Sequence, residues 1–284
     1  MATLHRAPVP ALRALVATVW AHDPSPGAPA SPGAREHVLP TGATHIALRL
    51  DGPPLRIYAH AADPLGQQLG HAVVGGARTV HHLRDVSQPS ASVGAMLRPG
   101  AASVLLGAPE STLAGQHTPL DQLLPASEVA ALSERLRACG DGARRLALFE
   151  HWLFVRARGR PVVLHPALIQ VLQRPAHPGQ RVADLVRASG LSHRHCIALF
   201  RQVTGLTPGQ WLALQRFNQV LGRAVQPLAS WSDIAAACGY ADQAHLANSF
   251  RDITGLTPSA WRRQMDPVEP RHVPQVLEPR PRPP

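Results

Sequence analysis

The sequence predicts an α+β chain in two parts, a β-rich N-terminal domain closed by helices and an all-α C-terminal domain. Three observations carry this. Residues 36–104 are short extended pieces broken by Gly and Pro, and residues 126–157 switch to helical periodicity. Beyond them a twelve-residue phrase is written twice, "FRQVTGLTPGQW" from Phe200 to Trp211 and "FRDITGLTPSAW" from Phe250 to Trp261. Eight of the twelve positions are identical, at a spacing of 50 residues.

At 284 residues the chain is long enough for two domains of ordinary size. Hydrophobic residues make up 45%, which excludes wholesale disorder. The formal net charge is +10, with no Lys. Residues 178–265 carry nine Arg against four acidic residues, and the twice longer stretch 1–177 carries sixteen against eleven. Basic density is therefore concentrated in the second part, where it favours a polyanion partner. Cys139, Cys196 and Cys238 are odd in number and far apart, with no CxxC pair, so they form neither a disulfide framework nor a metal knuckle. No run reaches the ~18 apolar residues of a membrane span, and no small-residue cleavage site follows the mildly apolar start that Arg13 interrupts. These features predict a cytoplasmic protein without a membrane partner.

Taken in order, residues 8–20 place Leu12, Leu15, Val16 and Val19 at helical spacing and predict a helix. "AHDPSPGAPASPGA" (21–34) reads as a loop. The pieces "HVLP", "THIALRL", "LRIYAH", "HAVVGGA", "TVHHL" and "ASVGAMLRPG" predict an antiparallel barrel or sandwich, cupin-like in outline, whose interior either takes a small ligand or is filled by its own side chains. Two helices on either side of Gly140-Asp141-Gly142 close this first domain, residues 1–157, which has a sensory or dimerisation role. The apolar face of the second of them, with Leu148, Phe149, Trp152 and Leu153, suits either a second copy of the chain or the cover of the barrel. "RGRPVV" begins a linker at 158–164, residues 165–265 are all helical, and the Pro-rich stretch 266–284 reads as a disordered tail.

The repeated phrase acquires a meaning from what precedes it. Before the first copy stands "RVADLVRASGLSHRHCIAL", a short helix, a Gly and a helix opened by Ser192 as N-cap. Before the second stands "WSDIAAACGYADQAHLANS", again a short helix, Gly239 and a helix from about Asp242. Helix, tight Gly turn, helix is the helix-turn-helix pattern. Gly205 and Gly255 sit where a helix C-cap takes a left-handed residue, and Thr207-Pro208 and Thr257-Pro258 supply the N-cap and first position of the next helix. Phe200 and Phe250 face inwards, while Trp211 and Trp261 anchor the helices that follow. Two such units joined by "PGQWLALQRFNQVLGRAV" can hold two recognition helices about 34 Å apart, one turn of B-DNA.

Residues 165–265 resemble the DNA-binding domain of AraC/XylS-type transcription regulators. The resemblance rests on "GLSHRHCIALFRQVTGLTPGQWL", "QRFN", "DIAAACGYADQAHLANSFRDITGLTPSAWR" and an order of seven helices. The first domain resembles, more faintly, the β-rich sensory domains of that family through "LPTGATHIAL" and "LRPGAASVLLG". The resemblance implies a sequence-specific regulator, an activator by the habit of the family, that binds double-stranded DNA. It implies base contacts from His193, Arg194, Ile197 and Ala198 on the first recognition helix, and from Gln243, Ala244, His245 and Asn248 on the second. Arg194 suits guanine, and Gln243 or Asn248 suits adenine. Arg201 and Arg251, just after each buried Phe, suit phosphates, which set register and not sequence. The family usually carries Arg two residues before that Phe, where this chain has Ala198 and Asn248, and Leu where it has Cys196. RNA polymerase, a small-molecule effector and a second copy of the chain are the further partners such a regulator would use.

Rival chemistry finds less support. A metal enzyme of cupin type would need an HxH pair, but His81 and His82 are adjacent and point to opposite faces of a strand, and His37, His45, His60 and His71 lack ligand spacing. "ASVGA" lacks the GxSxG of a nucleophile elbow, and no Gly-rich phosphate loop precedes a helix. A DNA alkyl-transfer protein would need an acceptor Cys in the first domain, where Cys139 lies alone on a helix. The expectation is a protein without catalytic residues, metal or cofactor. Two alternatives stay open, a constitutive DNA binder whose first domain only dimerises and an enzyme domain fused to a DNA reader.

Overall fold

A computed structural model describes residues 2–24, 30–173, 177, 179–226, 228–266 and 270–274. The N-terminal part contains strands β1 (Ala2–Arg6), β2 (Val16–Asp23), β3 (Arg35–Val38), β4 (His45–Arg49), β5 (Leu55–Tyr58), β6 (Gln67–Gly70), β7 (Ala72–Gly75), β8 (His82–Asp85) and β9 (Ser92–Leu97). Helices α1 (Ala101–Leu106) and α2 (Glu110–Leu113), strand β10 (His117–Pro119), and helices α3 (Ala126–Ala138) and α4 (Gly142–Ala157) follow. The strands form open antiparallel sheets. One has the order β1-β2-β9-β4-β7-β10, and the other contains β3-β8-β5-β6.

Strand alternation decides which face of the first sheet is dry. Ile46 and Leu48 of β4, with Val93, Ala95 and Leu97 of β9, point to one side and are buried against Leu105, Leu146, Phe149 and Leu153. Helices α1 and α4 therefore cover the outer face of this sheet, and the apolar face of α4 is spent inside the chain. Glu150 on α4 is buried too, and it accepts from the Arg6 guanidinium (3.0 Å) and the Val9 amide (2.8 Å), tying β1 to the helix.

The expected helix over residues 8–20 is not formed. A single 3-10 turn at Pro10–Leu12 leads into β2, which pairs with both β1 and β9. Leu12, Val16 and Val19 are all fully buried, so the apolar spacing was real. The run of Val16, Thr18 and Val19 suits a pleated surface better than a helix, and the available sheet edges captured it.

The C-terminal part is helical: α5 (Pro166–Gln173), α6 (Val182–Ser189), α7 (His193–Thr204), α8 (Pro208–Ala224), α9 (Trp231–Ala237), α10 (Gln243–Thr254) and α11 (Pro258–Gln264). Its core gathers Phe200, Phe217, Phe250 and Trp261 and also takes in Leu39, Ala77 and Val273 from outside the helices. Val273 belongs to β11 (His272–Pro274), which pairs antiparallel with β3 at the edge of the second sheet. This corrects the reading of 266–284 as disordered throughout, for residues 270–274; residues 267–269 and 275–284 lie outside the described residues. The tail returns because Trp261 Nε1 donates to the Pro270 carbonyl (2.9 Å) and the Leu39 amide donates to the Arg271 carbonyl (2.9 Å).

Candidate nucleic-acid interface

The two units share their turns, helix caps and helix-end bonds. Gly190 and Gly239 make the turns with φ of 65° and 73°, a left-handed backbone that a side chain would strain. Ser192 then accepts from the His195 amide (3.3 Å), and Asp242 accepts from the His245 amide (2.7 Å), so each recognition helix begins on a side-chain cap. At the other end, Gly205 and Gly255 adopt φ of 74° and 72°. The buried hydroxyls of Thr204 and Thr254 donate to Phe200 and Phe250 carbonyls (2.7 Å each) and accept from Leu206 and Leu256 amides (3.1 and 3.0 Å). Thr207 and Thr257 cap the next helices, and the ring pairs Phe200–Trp211 and Phe250–Trp261 both lie 5.7 Å apart. Phe217 of α8 meets Phe250 at 5.4 Å, so the connecting helix is part of the second unit's core.

With the same frame come the same exposed positions. His193, Arg194 and Ala198 on α7 and Gln243, Ala244, His245 and Asn248 on α10 are exposed, while Ile197 is half-buried. Cys196 and Leu246 are the matching buried residues beneath them. Arg201 and Arg251 are exposed at the flank of each helix. His245 is partly engaged within the protein: its ring lies 5.1 Å from that of Tyr240, and Nδ1 accepts from the Ala241 amide (3.4 Å).

The N-terminal part grips both units at one and the same sequence position. The Gly100 amide donates to the Val203 carbonyl and the His81 amide to the Ile253 carbonyl, both at 2.8 Å. Val203 and Ile253 are equivalent, 50 residues apart. The last carbonyls of an α-helix have no partner within it, so each bond satisfies an orphan acceptor at the end of a recognition helix. A third link runs from Arg271, which donates to the Pro40 carbonyl (2.7 Å) and to Asn218 Oδ1 (2.9 Å) on α8.

The surroundings of the two grips differ. Around the first, Gly205 packs so closely that an added Cβ would stand 3.0 Å from the Glu110 carbonyl oxygen. The Glu110 side chain is buried, with Oε1 accepting from the Ala102 amide (3.0 Å) and Oε2 without a partner among the described residues. It borders a cavity of about 40 Å³ that Thr44, Val203, Thr204 and Trp211 help to line. Burial pushes its carboxyl up to about 7. Around the second, His37 and His81 donate through Nδ1 to the Thr254 (3.2 Å) and Ile253 (3.3 Å) carbonyls, with ring centroids 4.9 Å apart. Burial lowers both imidazoles, and with the neighbouring charge of His81 it takes His37 to about 4.

Sequence reasoning found the caps, turns and exposed faces, because these are local. It missed the gripping role of Gly100, His81 and Arg271, whose partners lie more than 50 residues away. Among the described residues no group of three or more His, Cys, Asp or Glu could hold a metal ion, and no helix is long and apolar enough to cross a membrane. His71 bonds to the Gly52 carbonyl (3.1 Å).

Comparison with known proteins bears on each part separately. Residues 185–264 match the family described as a helix-turn-helix domain, and residues 4–119 match a domain of unknown function (DUF6597). No curated protein matches the chain. Similar solved structures include a transcriptional regulator with an AraC-type DNA-binding domain from Chromobacterium violaceum, 26% identical, covering 30% of this chain and 75% of that one with a TM-score of 0.28. The DNA-binding domain of the global transcriptional factor AdpA, in complex with a target DNA, is 29% identical and covers 34% of this chain and 86% of that one with a TM-score of 0.31. ToxT from Vibrio cholerae is 10% identical and covers 92% and 98%, with a TM-score of 0.44. With its twin capped units and their family match, residues 185–264 of this chain form a helix-turn-helix domain.

Proposed function

We propose that the chain is a sequence-specific transcription regulator whose N-terminal domain controls how its two recognition helices meet DNA. The observation that carries the reading is the twin frame: two helices with the same caps and buried anchors, each presenting an exposed face. In this reading α7 offers His193, Arg194 and Ile197 to bases, α10 offers Gln243, Ala244, His245 and Asn248, and Arg201 and Arg251 bind flanking phosphates. Arg194 pairs with guanine O6 and N7, and Gln243 or Asn248 pairs with adenine. Ala198 leaves α7 fewer donors, so the first unit reads less than the second. Residues 1–157 are the controlling domain, 158–164 the linker and 165–265 the reader.

The matched bonds to Val203 and Ile253 support control by the first domain, because a change in its shape acts on both helix ends at once. Such control requires an effector or partner that binds the gripping and released states with different affinity. The test is selection of bound duplexes from a random DNA pool by the full chain, followed by binding to the selected site with variants. Two enriched blocks one helical turn apart, one weakened by Arg194→Ala and the other by Gln243→Ala, are expected. No enrichment by the full chain, nor by residues 158–284 alone, would sink the reading.

A further inference from the structure

Buried polar atoms without a partner mark places where the packing of a protein is not fully satisfied. Two of those among the described residues, Glu110 Oε2 and Thr44 Oγ1, belong to residues that line one and the same cavity of about 40 Å³. Both residues are buried, at 2% and 3% exposure. Residues 42–44, the turn 97–99 and Glu110 of α2 wall the cavity from the N-terminal part, and Val203, Thr204 and Trp211 wall it from the helical part. The cavity therefore lies in the seam between the two parts, beside the first grip. It has room for about two or three water molecules.

Glu110 shares a donor with that grip. Oε1 accepts from the Ala102 amide (3.0 Å), and the carboxyl lies within hydrogen-bonding reach of the Gly100 amide and of its own. The Gly100 amide is the donor that holds the Val203 carbonyl (2.8 Å). One N–H thus stands between two acceptors, a carbonyl at the end of α7 and a carboxyl on α2. A neutral carboxyl competes weakly for it. An ionised one competes strongly, because a hydrogen bond to a charged acceptor is roughly twice as strong as a neutral one.

The surroundings leave the charge of Glu110 to be set by burial. Residues 42–44, α7 and α8 place no titratable group on the cavity. The turn before α1 contributes Arg98, whose Nε donates to the Arg13 carbonyl (2.7 Å). A buried anion without a counter-charge is costly, and burial raises the carboxyl to about 7 against the pull of the three amides. The stability contributed by the neutral form is present below pH 4.5 and is lost as pH rises through about 7. The second grip has no such group, since burial lowers the imidazoles of His37 and His81 and both are already neutral there.

We propose that the first grip is a proton-operated latch, in which neutral Glu110 leaves the Gly100 amide on Val203 and ionised Glu110 takes that amide for itself. The proton leaves Oε2 for water entering the cavity, and the end of α7 is freed while the end of α10 stays held. The proposal rests on the regulator reading only in making pH a control on DNA reading, exerted on one recognition helix and not the other.

The test is a pH titration of the isotope-labelled full chain by NMR, following the Gly100 and His81 amides from about pH 5 to about pH 9. The Gly100 resonance is expected to move in one single-proton step with its midpoint near 7, and its solvent exchange to rise beyond the intrinsic rate. The His81 amide should not follow. Glu110→Gln keeps the shape and stays neutral, so it should abolish the step and leave the Tm on the acid side unchanged. Thr44→Val removes the unengaged hydroxyl on the cavity, which leaves the anion less well solvated, and should move the midpoint up by about one unit. This second variant carries the test if Glu110→Gln does not fold. No step at Gly100, the same step in Glu110→Gln or at His81, or an unmoved midpoint in Thr44→Val overturns the inference. No DNA enters the titration, so the step in a chain that selects no duplex would separate failure of the regulator reading from failure of this one.

Discussion

The two helix-turn-helix units share a frame and differ in almost everything placed around it. Their turn, cap and anchor bonds agree to within about 0.1 Å at the Thr204 and Thr254 hydroxyls, and the same carbonyl in each is held by an amide of the N-terminal domain. Yet one unit exposes Arg194 and Ala198 where the other exposes Ala244 and Asn248. One grip sits beside a buried carboxyl and the other beside two imidazoles. The comparison teaches that duplication preserved what makes a helix end in the right place, while the exposed faces of the two recognition helices and the surfaces that meet the first domain diverged.

The comparison breaks most easily at the anchors. Phe250 meets the rings of Phe217, Trp231 and Trp261, whereas the ring contact of Phe200 is with Trp211. Both changes to Ala should cost about 3–5 kcal/mol in denaturant unfolding, Phe250→Ala the more. A smaller loss for Phe250→Ala would mean that the second unit is not the better packed.

Base reading comes next in size. On the selected operator, Gln243→Ala and Arg194→Ala should each lose about 1–3 kcal/mol, roughly fivefold to 150-fold in Kd. The relaxed preference should fall in different blocks of the site. Relaxation in one block only would mean that α7 docks without reading.

The shared frame has its own measure. Thr204→Val and Thr254→Val each leave a buried amide unpaired, a cost of about 1–2 kcal/mol. Nearly equal losses in unfolding free energy are expected; a clear inequality would show that the copied bonds do not carry copied energy.

The smallest effect is the most local. Glu110 is raised by burial, so its contribution to stability is fully present below pH 4.5 and is lost as pH rises through about 7. His37 is lowered, so its contribution is present above pH 6.5 and is lost as pH falls towards about 4. Hydrogen-exchange protection, corrected for intrinsic rates, should therefore weaken at residues 200–207 on the alkaline side and at 250–257 on the acid side. Parallel behaviour of the two segments would remove the distinction drawn between the grips.

What the sequence determined by itself was the local frame of the reader. Ser192, Asp242, Thr207 and Thr257 cap helices through amides three residues away, and Gly205 and Gly255 need only their own φ to end them, so these features follow from neighbouring residues. The six strand pieces of residues 36–104 were legible for a similar reason, the alternation of β4 and β9 being written along one strand. The helical reading of residues 8–20 failed because apolar spacing alone does not reveal that two strands lie waiting on either side of β2. Only tertiary structure decided the rest. The strand at 272–274 exists because β3 offers an edge more than 230 residues earlier in the chain. The grips on Val203 and Ile253 join Gly100 and His81 to distant helix ends. Contacts of that range depend on where whole elements pack, and no short stretch of residues encodes them.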